Sequence, residues 1–420
     1  MGVKYRHLRV ETGNPPSMGT RAAIAVFLAA VTVVATLSVL SNRMRPRWDS
    51  VYYLDMATSG LAGNHHLVAP FAYRPIAPLT IGAIARTLHM DPVTTFRAGA
   101  HVAALALLLV AYYFMRRFGA SEFAAGLGTL AIALNFVMIR YPLFNGTMLD
   151  IYAYPFVLLG FWGVLRRRFY PVLLLCAVGL FLKEFMLLPL LAQAGVLVLE
   201  TPRKRWLSLW LPLGLTGMVI AVCFIAPRAV IPVVDSFQDI DPHIPGSLRR
   251  LITHPLSWRR WFNIVYSYLA FWLPCALLMT RDRWQMVRRR LAPYSRAIGC
   301  FAVFHLLLVL YGGTNIFVFT SYSLPVELLV LVVLLDQGAP QLWELILVFA
   351  VLVIFNRIGA HIPVFEEGWD NHLDFYGGYS SEIRLRSVLR FAEVLAYVGA
   401  FQILRRALAA RLGPRVRLVQ

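Results

Sequence analysis

Charged residues are scarce in this chain, and acidic residues are scarcer than basic ones. Only 15% of its 420 residues are charged, with 21 Asp and Glu against 40 Lys and Arg. Soluble domains ordinarily carry about 25% charged residues, so this composition excludes an ordinary soluble domain. The 59% share of hydrophobic residues and the mean hydropathy of +0.65 predict a polytopic membrane protein instead.

Cysteine is also rare. The chain has 4 cysteines, each in an apolar segment and none with the spacing of metal ligands: Cys176, Cys223, Cys275 and Cys300. We interpret them as packed thiols rather than as disulfides or a zinc site. Fixed-period repeats and polar stretches long enough for a soluble domain are absent from the sequence as well. The net charge of +19 therefore indicates arginine at cytoplasmic helix ends and beside anionic head groups, with no nucleic-acid partner.

Long apolar runs are abundant, and they predict an all-α fold. A helix needs about 20 apolar residues to cross a bilayer, and non-alternating runs favour helices over a barrel. The first run, residues 22–40, is interpreted as a retained helix rather than a cleaved signal peptide. Basic clusters between the later runs predict about twelve spans with both termini in the cytoplasm. Loops 42–92, 227–260 and 356–386 are then on the outer side.

Two stretches do not fit simple spans. Residues 75–89 are interpreted as an interfacial helix in the first outer loop, because a further crossing would invert all later topology. Residues 170–199 carry Lys183 and Glu184 at their centre, and a charge at mid-bilayer costs about 3 kcal/mol or more. The sequence therefore predicts two short helices there, with Lys183 and Glu184 at the outer turn.

Carboxylates close to the outer surface are the first candidates for chemistry. Asp49 follows the first span, where desolvation beside lipid raises the basicity of a carboxylate. It is a candidate base, and it could also be the N-cap of a helix that begins at Ser50. Asp150 heads the fourth span and has the same two interpretations. Asp55 is the alternative base in the first loop.

Basic residues in the same loops suit a phosphate. Arg74 follows Tyr73 and precedes Pro75, which favours an extended backbone, and its planar guanidinium matches a phosphate. Lys183 and Glu184 are adjacent, so they point in different directions and are not expected to neutralise each other. Arginines in the loop 227–260 break the charge rule and could bind phosphate, namely Arg228, Arg249, Arg250, Arg259 and Arg260.

Taken together, these landmarks resemble the GT-C superfamily of membrane glycosyltransferases. The resemblance rests on Asp49 in an aromatic setting after the first span, Tyr73-Arg74-Pro75, Asp150 between the third and fourth spans, and residues 179–184, Gly-Leu-Phe-Leu-Lys-Glu. It covers about the first 200 residues as a GT-C-like module. Residues 201–420 match only as a variable series of spans. Asp49-Ser50 stands where several branches of the family have a paired acidic motif.

The resemblance implies a multi-pass enzyme of a bacterial inner membrane that works at the periplasmic face. It would transfer a hexose or pentose, with inversion, from a polyprenyl-phosphate donor to a saccharide, lipid or protein acceptor of the cell envelope. Asp49 would be the base, with Asp150 and Asp55 as further catalytic candidates. Substrate binding would fall to Arg74, Lys183, Glu184, Tyr73, Arg249 and Arg250. A divalent cation is left open as a cofactor, since His65-His66 has no third ligand at readable spacing.

Other functions stay open on the sequence alone. A secondary transporter would show related halves and interrupted helices. A non-catalytic scaffold would tolerate loss of Asp49. A polysaccharide polymerase or ligase would instead use arginine and histidine in the later loops, centred on Arg357, His361 and His372.

Overall fold

The computed structural model describes residues 20–40, 45, 49–61, 67–231, 233, 235–236, 256–312, 315–364, 367, 371, 375 and 383–412. The protein is all-α, as the apolar runs predict, because a backbone in lipid must satisfy its polar groups within each helix. A two-residue parallel pairing joins Val68–Ala69 (β1) to Asp235–Ser236 (β2).

The first half of the chain forms helices that are mostly short. In order they are Thr20–Leu40 (α1), Asp49–Ser59 (α2), Ile76–Leu88 (α3), Pro92–Phe118 (α4), Glu122–Ala133 (α5), Tyr141–Phe144 (α6), Asp150–Leu165 (α7), Phe169–Leu180 (α8) and Leu187–Glu200 (α9). A π-helical turn, Phe136–Arg140, precedes α6.

The second half continues the bundle. Its helices are Trp210–Ile220 (α10), Ala226–Val230 (α11), Trp258–Phe271 (α12), Leu273–Leu278 (α13), Arg281–Leu291 (α14), Ser295–Tyr311 (α15), Ile316–Ser321 (α16), Leu324–Asp336 (α17), Leu342–Phe355 (α18) and Leu385–Leu412 (α19). Short 3₁₀ turns occur at Phe71–Tyr73, Glu184–Met186, Arg203–Leu209 and Ala292–Tyr294.

Within the described ranges, four helical stretches are long and apolar enough to cross a membrane: Pro92–Phe118, Lys204–Val230, Arg281–Tyr311 and Leu385–Leu408. A fifth results if the bent pair Glu122–Ala133 and Phe136–Phe144 is one span. Shorter apolar helices include Asp150–Leu165 and Leu342–Phe355. The protein therefore has the helices of a membrane protein, while the expected twelve-span count stays a prediction.

Several expected spans are broken helices. The chain bends by 65° between α5 and Phe136–Phe144, because the Asn135 side chain accepts hydrogen bonds from the amides of Val137 and Met138 and starts a new helix. Another break, at Trp272, separates α12 from α13. Residues 317–335 likewise form α16 and α17 rather than one helix.

The predicted pair of short helices over residues 170–199 is confirmed as α8 and α9, with Lys183 and Glu184 in the turn between them. The predicted helix over residues 75–89 is present as α3, whose 13 residues span about 20 Å, too short to cross a bilayer.

Basic side chains gather at one end of the bundle. Arg166, after α7, donates to the backbone carbonyl of Arg117 near the end of α4 at 3.2 Å. The Arg290 guanidinium lies 5.8 Å from the ring centre of Phe118. Asp150 begins the 16-residue α7, so it lies about 24 Å from this basic end along the helix. The bundle is polarised, with its acidic candidates at the opposite end.

Candidate functional site

An arginine–carboxylate pair forms the centre of the site. Arg74 precedes α3, and Glu184 lies in the turn between α8 and α9. The guanidinium of Arg74 donates to both carboxylate oxygens of Glu184, from Nε to Oε2 at 2.9 Å and from Nη2 to Oε1 at 2.7 Å. Its Nη1 donates to the hydroxyl oxygen of Tyr53 at 2.9 Å. Burial would raise the pKa of Glu184, but the charges of Arg74 and Lys183 outweigh burial and lower this pKa to about 2.

A second ion pair lies beside the first. The Lys183 ammonium is 3.2 Å from Asp150 Oδ2, with the two side chains only 8% and 5% exposed. Tyr322 donates its hydroxyl to Asp150 Oδ1 at 2.6 Å, and its ring stacks on Phe185 with centres 4.2 Å apart. A buried charge needs both a partner and hydrogen bonds. These contacts therefore hold Lys183 and Asp150 in fixed positions.

Asp49 lies within electrostatic reach of both pairs and belongs to neither. It is the first residue of α2, one helical turn before Tyr53, so the two side chains share a helix face. Among the described residues Asp49 has no ion-pair partner. Burial by the surrounding protein raises the pKa of Asp49, and Arg74 and Lys183 oppose the rise. Asp49 is also exposed to solvent, so the surrounding protein does not close its carboxylate off from water.

Arg228 adds a cation to the same region. Its guanidinium lies 4.9 Å from the ring centre of Tyr73 and 3.7 Å from that of Phe224. Its Nη1 donates to the carbonyl of Phe224 at 2.6 Å, and within the described part of the chain it has no carboxylate partner. Arg228 is half-buried and interacts electrostatically with Glu184. It is therefore the cation of this region that lacks an anion.

Hydroxyl groups fix α2 against the start of α7. Thr147 donates to Ser50 Oγ at 2.6 Å, and Ser50 in turn donates to Asn145 Oδ1 at 3.3 Å. Ser50 and Thr147 are both buried. Since Ser50 follows Asp49 directly, these bonds set the position of Asp49 relative to Asp150.

The structure brings together most of the residues that the sequence nominated. Asp49, Arg74, Tyr73, Asp150, Lys183 and Glu184 converge at one end of the bundle. Lys183 and Glu184 take separate partners, as their adjacency predicts. Asp55 is six residues along α2 from Asp49, about 240° around the helix, and it contacts none of the described residues of the network.

Some predictions are corrected or lie elsewhere. Asp150 is not an N-cap: Leu149 occupies that position without a side-chain bond, because the Asp150 carboxylate is taken by Lys183 and Tyr322. The helix expected to begin at Ser50 begins at Asp49. Arg249, Arg250 and the pair His65-His66 lie outside the described residues. Among the residues that the structure describes, no group of three or more His, Cys, Asp and Glu could hold a metal ion.

Sequence reasoning missed Tyr53, Tyr322 and the special position of Arg228. Tyr53 is four residues after Asp49, so helical spacing could have placed it on the same face. Tyr322 lies in residues 320–323, Thr-Ser-Tyr-Ser, a polar interruption in an apolar run. That interruption is the signal that could have found it.

Comparisons with known proteins add no relative. Neither the family models, the curated proteins nor the solved structures contain a match to this chain.

Proposed function

We propose that the protein is a membrane glycosyltransferase that transfers one sugar, with inversion, from a polyprenyl-phosphate donor to a cell-envelope acceptor. The observation that carries this proposal is the solvent-exposed carboxylate of Asp49, which has no ion-pair partner in the described part of the chain and lies near the fixed cations Arg74 and Lys183. Base and cation are the two components that attack by a hydroxyl and departure of a phosphate require. The proposed fold is a GT-C-like bundle of about twelve spans.

In the proposed reaction Asp49 takes the proton of an acceptor hydroxyl as its oxygen attacks the anomeric carbon of the donor. The bond from that carbon to the phosphate oxygen breaks on the opposite face, and the electron pair leaves with the polyprenyl phosphate. The phosphate gains negative charge in this step, so a nearby cation stabilises the transition state more than the ground state.

Asp49 is a better base than Asp150 in this geometry. Asp150 is buried and already accepts from Lys183 and Tyr322, and Glu184 is engaged by Arg74. We assign Asp150 and Glu184 the positioning of Lys183 and Arg74. Among the described residues the members of each of these two ion pairs neutralise each other's charge, and Asp49 and Arg228 have no ion-pair partner.

Arg228 is the proposed contact of the donor phosphate. It lies at the end of the helical stretch Lys204–Val230, a candidate span that buries only 17% of its apolar window. Large apolar side chains along this stretch are exposed, among them Trp210, Leu211, Met218, Val222 and Ile225. A polyprenyl tail against this surface would place its phosphate beside Arg228 and Tyr73.

The basic end of the bundle supports an orientation with that end in the cytoplasm. The site with Asp49 then faces the outer side, which in a bacterium is the periplasm. Both termini would be cytoplasmic in this orientation.

Sugar transfer in proteoliposomes tests the proposal with a matched pair of variants. Asp49→Asn and Asp55→Asn each remove one carboxylate from α2, but only Asp49 lies within electrostatic reach of the network. With a panel of polyprenyl-phosphate sugars we expect Asp49→Asn to lower kcat by about a hundredfold or more, as for loss of a general base. Asp55→Asn should transfer normally. Normal transfer by Asp49→Asn at equal folded abundance would reject the mechanism, and loss only in Asp55→Asn would move the base to Asp55.

Transport is the second candidate function, and the broken helices at Asn135 and between α16 and α17 favour it. Secondary transporters place their sites at such breaks, and Tyr322 at the second break reaches Asp150. Uptake of an anion by proteoliposomes, without transfer from any donor, would establish this function instead.

A further inference from the structure

A small pocket lies away from the site with Asp49, between the π-helical turn Phe136–Arg140, α18 and the start of α19. Four aromatic rings and two arginines line it, together with one amide: Phe136, Phe317, Phe355, Phe375, Arg357, Arg390 and Asn356. Its volume of about 10 Å³ suits one water-sized polar group at its base. One oxygen of an anionic group would fit there, and the larger part of a ligand would lie outside the pocket.

The two arginines of the pocket are unequally paired. Arg390 is 6% exposed and donates to Glu393 at 2.6 Å and to the carbonyl of Phe355 at 2.7 Å, while its buried Nε has no partner. Arg357 is half-buried, and among the described residues it has no carboxylate within ion-pair distance. Among the described residues, the carboxylate that opposes these two cations is that of Glu393, which lies outside the pocket lining.

Arg357 has an unusual backbone conformation. Its φ is 50°, which residues other than glycine seldom adopt. Arg140 supports this turn by donating to the carbonyls of Arg357 and Ala360. The guanidiniums of Arg357 and Arg140 lie 5.4 and 5.8 Å from the ring centre of Phe375. Burial and the neighbouring Arg390 lower the pKa of Arg357, and a bound anion would relieve this crowding of positive charge.

The site with Asp49 and this pocket share one short element. Phe317, in α16, lines the pocket, and Tyr322, directly after α16, donates to Asp150. Five helical residues correspond to about 7.5 Å along the axis. The pocket therefore lies close along the chain to the residue that holds Asp150.

We propose that this pocket binds the anionic group, a carboxylate or phosphate, of a saccharide acceptor. This inference rests on the proposed glycosyl transfer. A planar guanidinium matches either oxyanion, and Arg357 is the half-buried cation that an anion entering from outside would reach. The lining residues that the structure describes are aromatic, basic and amide side chains, which suits them to bind an anion. The donor phosphate already has cations beside Asp49, which leaves Arg357 and Arg390 for the acceptor.

Direct binding tests the pocket without any need for transfer. Intact protein in detergent is titrated with glucuronic acid, inorganic phosphate and, as the uncharged comparison, methyl glucoside. The variant is Arg357→Gln, which removes the guanidinium and its contact with the Phe375 ring but breaks no ion pair among the described residues. The matched control is Arg406→Gln, an exposed arginine on the same helix as Arg390. Arg390 is left intact because it holds Phe355 and Glu393.

We expect the intact protein, Arg406→Gln and Asp49→Asn to bind glucuronic acid or phosphate alike, and Arg357→Gln to bind about tenfold or more weakly, since a charge-assisted bond is lost. If methyl glucoside bound equally well, or if Arg357→Gln bound the anions as tightly as the intact protein, the pocket would not be an anion site.

In the transfer assay Arg357→Gln should raise KM for an acidic acceptor and leave KM for the donor unchanged. A rise in the donor KM alone would assign the pocket to the donor phosphate and overturn the acceptor role. Binding is measured separately from transfer. Anion binding without any transfer would therefore reject the proposed glycosyltransferase activity while supporting the anion site.

Discussion

Three carboxylates at one site differ in what they can do because their neighbours differ. Glu184 accepts two bonds from Arg74, and Asp150 is buried between Lys183 and Tyr322. Asp49 is near the same cations but remains exposed and unpaired among the described residues. A proton acceptor needs a free lone pair that a substrate can reach. The environment, rather than the residue type, therefore selects Asp49.

The pH profile of transfer checks this selection. Burial raises the pKa of Asp49 above its ordinary value of 3.8, and Arg74 and Lys183 offset part of the rise. Because a base acts in its deprotonated form, the rate is lost as pH falls through the raised pKa. The acid limb of kcat/KM should thus lie above pH 3.8 and move in Asp49→Glu. Glu184 has a pKa of about 2, so its titration does not contribute to a fall of kcat/KM above pH 3.8. A limb at or below 3.8 would contradict the assignment.

At the scale of elements, the position of Asp49 depends on how α2 crosses α3. Gly82 of α3 lies directly against the backbone of Ala57 in α2, where an added Cβ would overlap the carbonyl oxygen of Ala57. Arg86 of α3 donates to the same carbonyl at 3.1 Å. The absent side chain at Gly82 lets the two helices approach closely. This contact anchors the helix that carries Asp49 and Tyr53.

Gly82→Ala should separate α2 from α3 and move the base. We expect a loss of about 1–3 kcal/mol in the free energy of unfolding, as for overpacking, together with a lower kcat. Gly217→Ala is the matched control, because a Cβ there meets nothing within 4 Å and should gain about 0.5–1 kcal/mol of helix stability. Thermal unfolding in detergent measures the stability of each variant, and sugar transfer by the folded protein measures its kcat. Equal behaviour of the two variants would refute the close approach.

At the scale of the molecule, the end opposite the site is held by a buried charge cluster. Glu344 is 2% exposed and accepts from Arg283 Nη2 at 2.7 Å and from Arg405 Nε at 2.5 Å. Arg405 also donates to the carbonyl of Leu277 at 3.0 Å. The cluster therefore ties α14, α18 and α19 together where the basic residues gather.

Glu344→Gln should destabilise the protein by about 3 kcal/mol, because it leaves the guanidiniums of Arg283 and Arg405, whose side chains are only 12% and 13% exposed, without their anion. Glu200→Gln breaks the pair with Arg167, whose side chains are 29% and 32% exposed, and should cost at most about 1 kcal/mol. Both losses are measured as shifts in unfolding in the same detergent. Comparable losses in the two variants would show that burial does not set the strength of the Glu344 cluster.

Much of the candidate site could be predicted from local sequence. Lys183 and Glu184 in an apolar stretch required a turn, because unpaired charge inside lipid is costly, and α8 and α9 have that turn. The breaks at Asn135 and Trp272 were not predicted. Each interrupts an otherwise apolar run, and hydropathy averages over such single positions.

The sequence by itself determined that this is a helical protein suited to a membrane, with its basic clusters separated from its candidate carboxylates. Composition and apolar run length suffice for that, since lipid admits few backbone solutions. Only the tertiary structure decided which charges neutralise each other. Arg74 and Glu184 are 110 residues apart, and Tyr322 and Asp150 are 172 apart. Such contacts depend on how distant helices pack, which no local pattern encodes. The same packing leaves Asp49 and Arg228 without an ion-pair partner among the described residues.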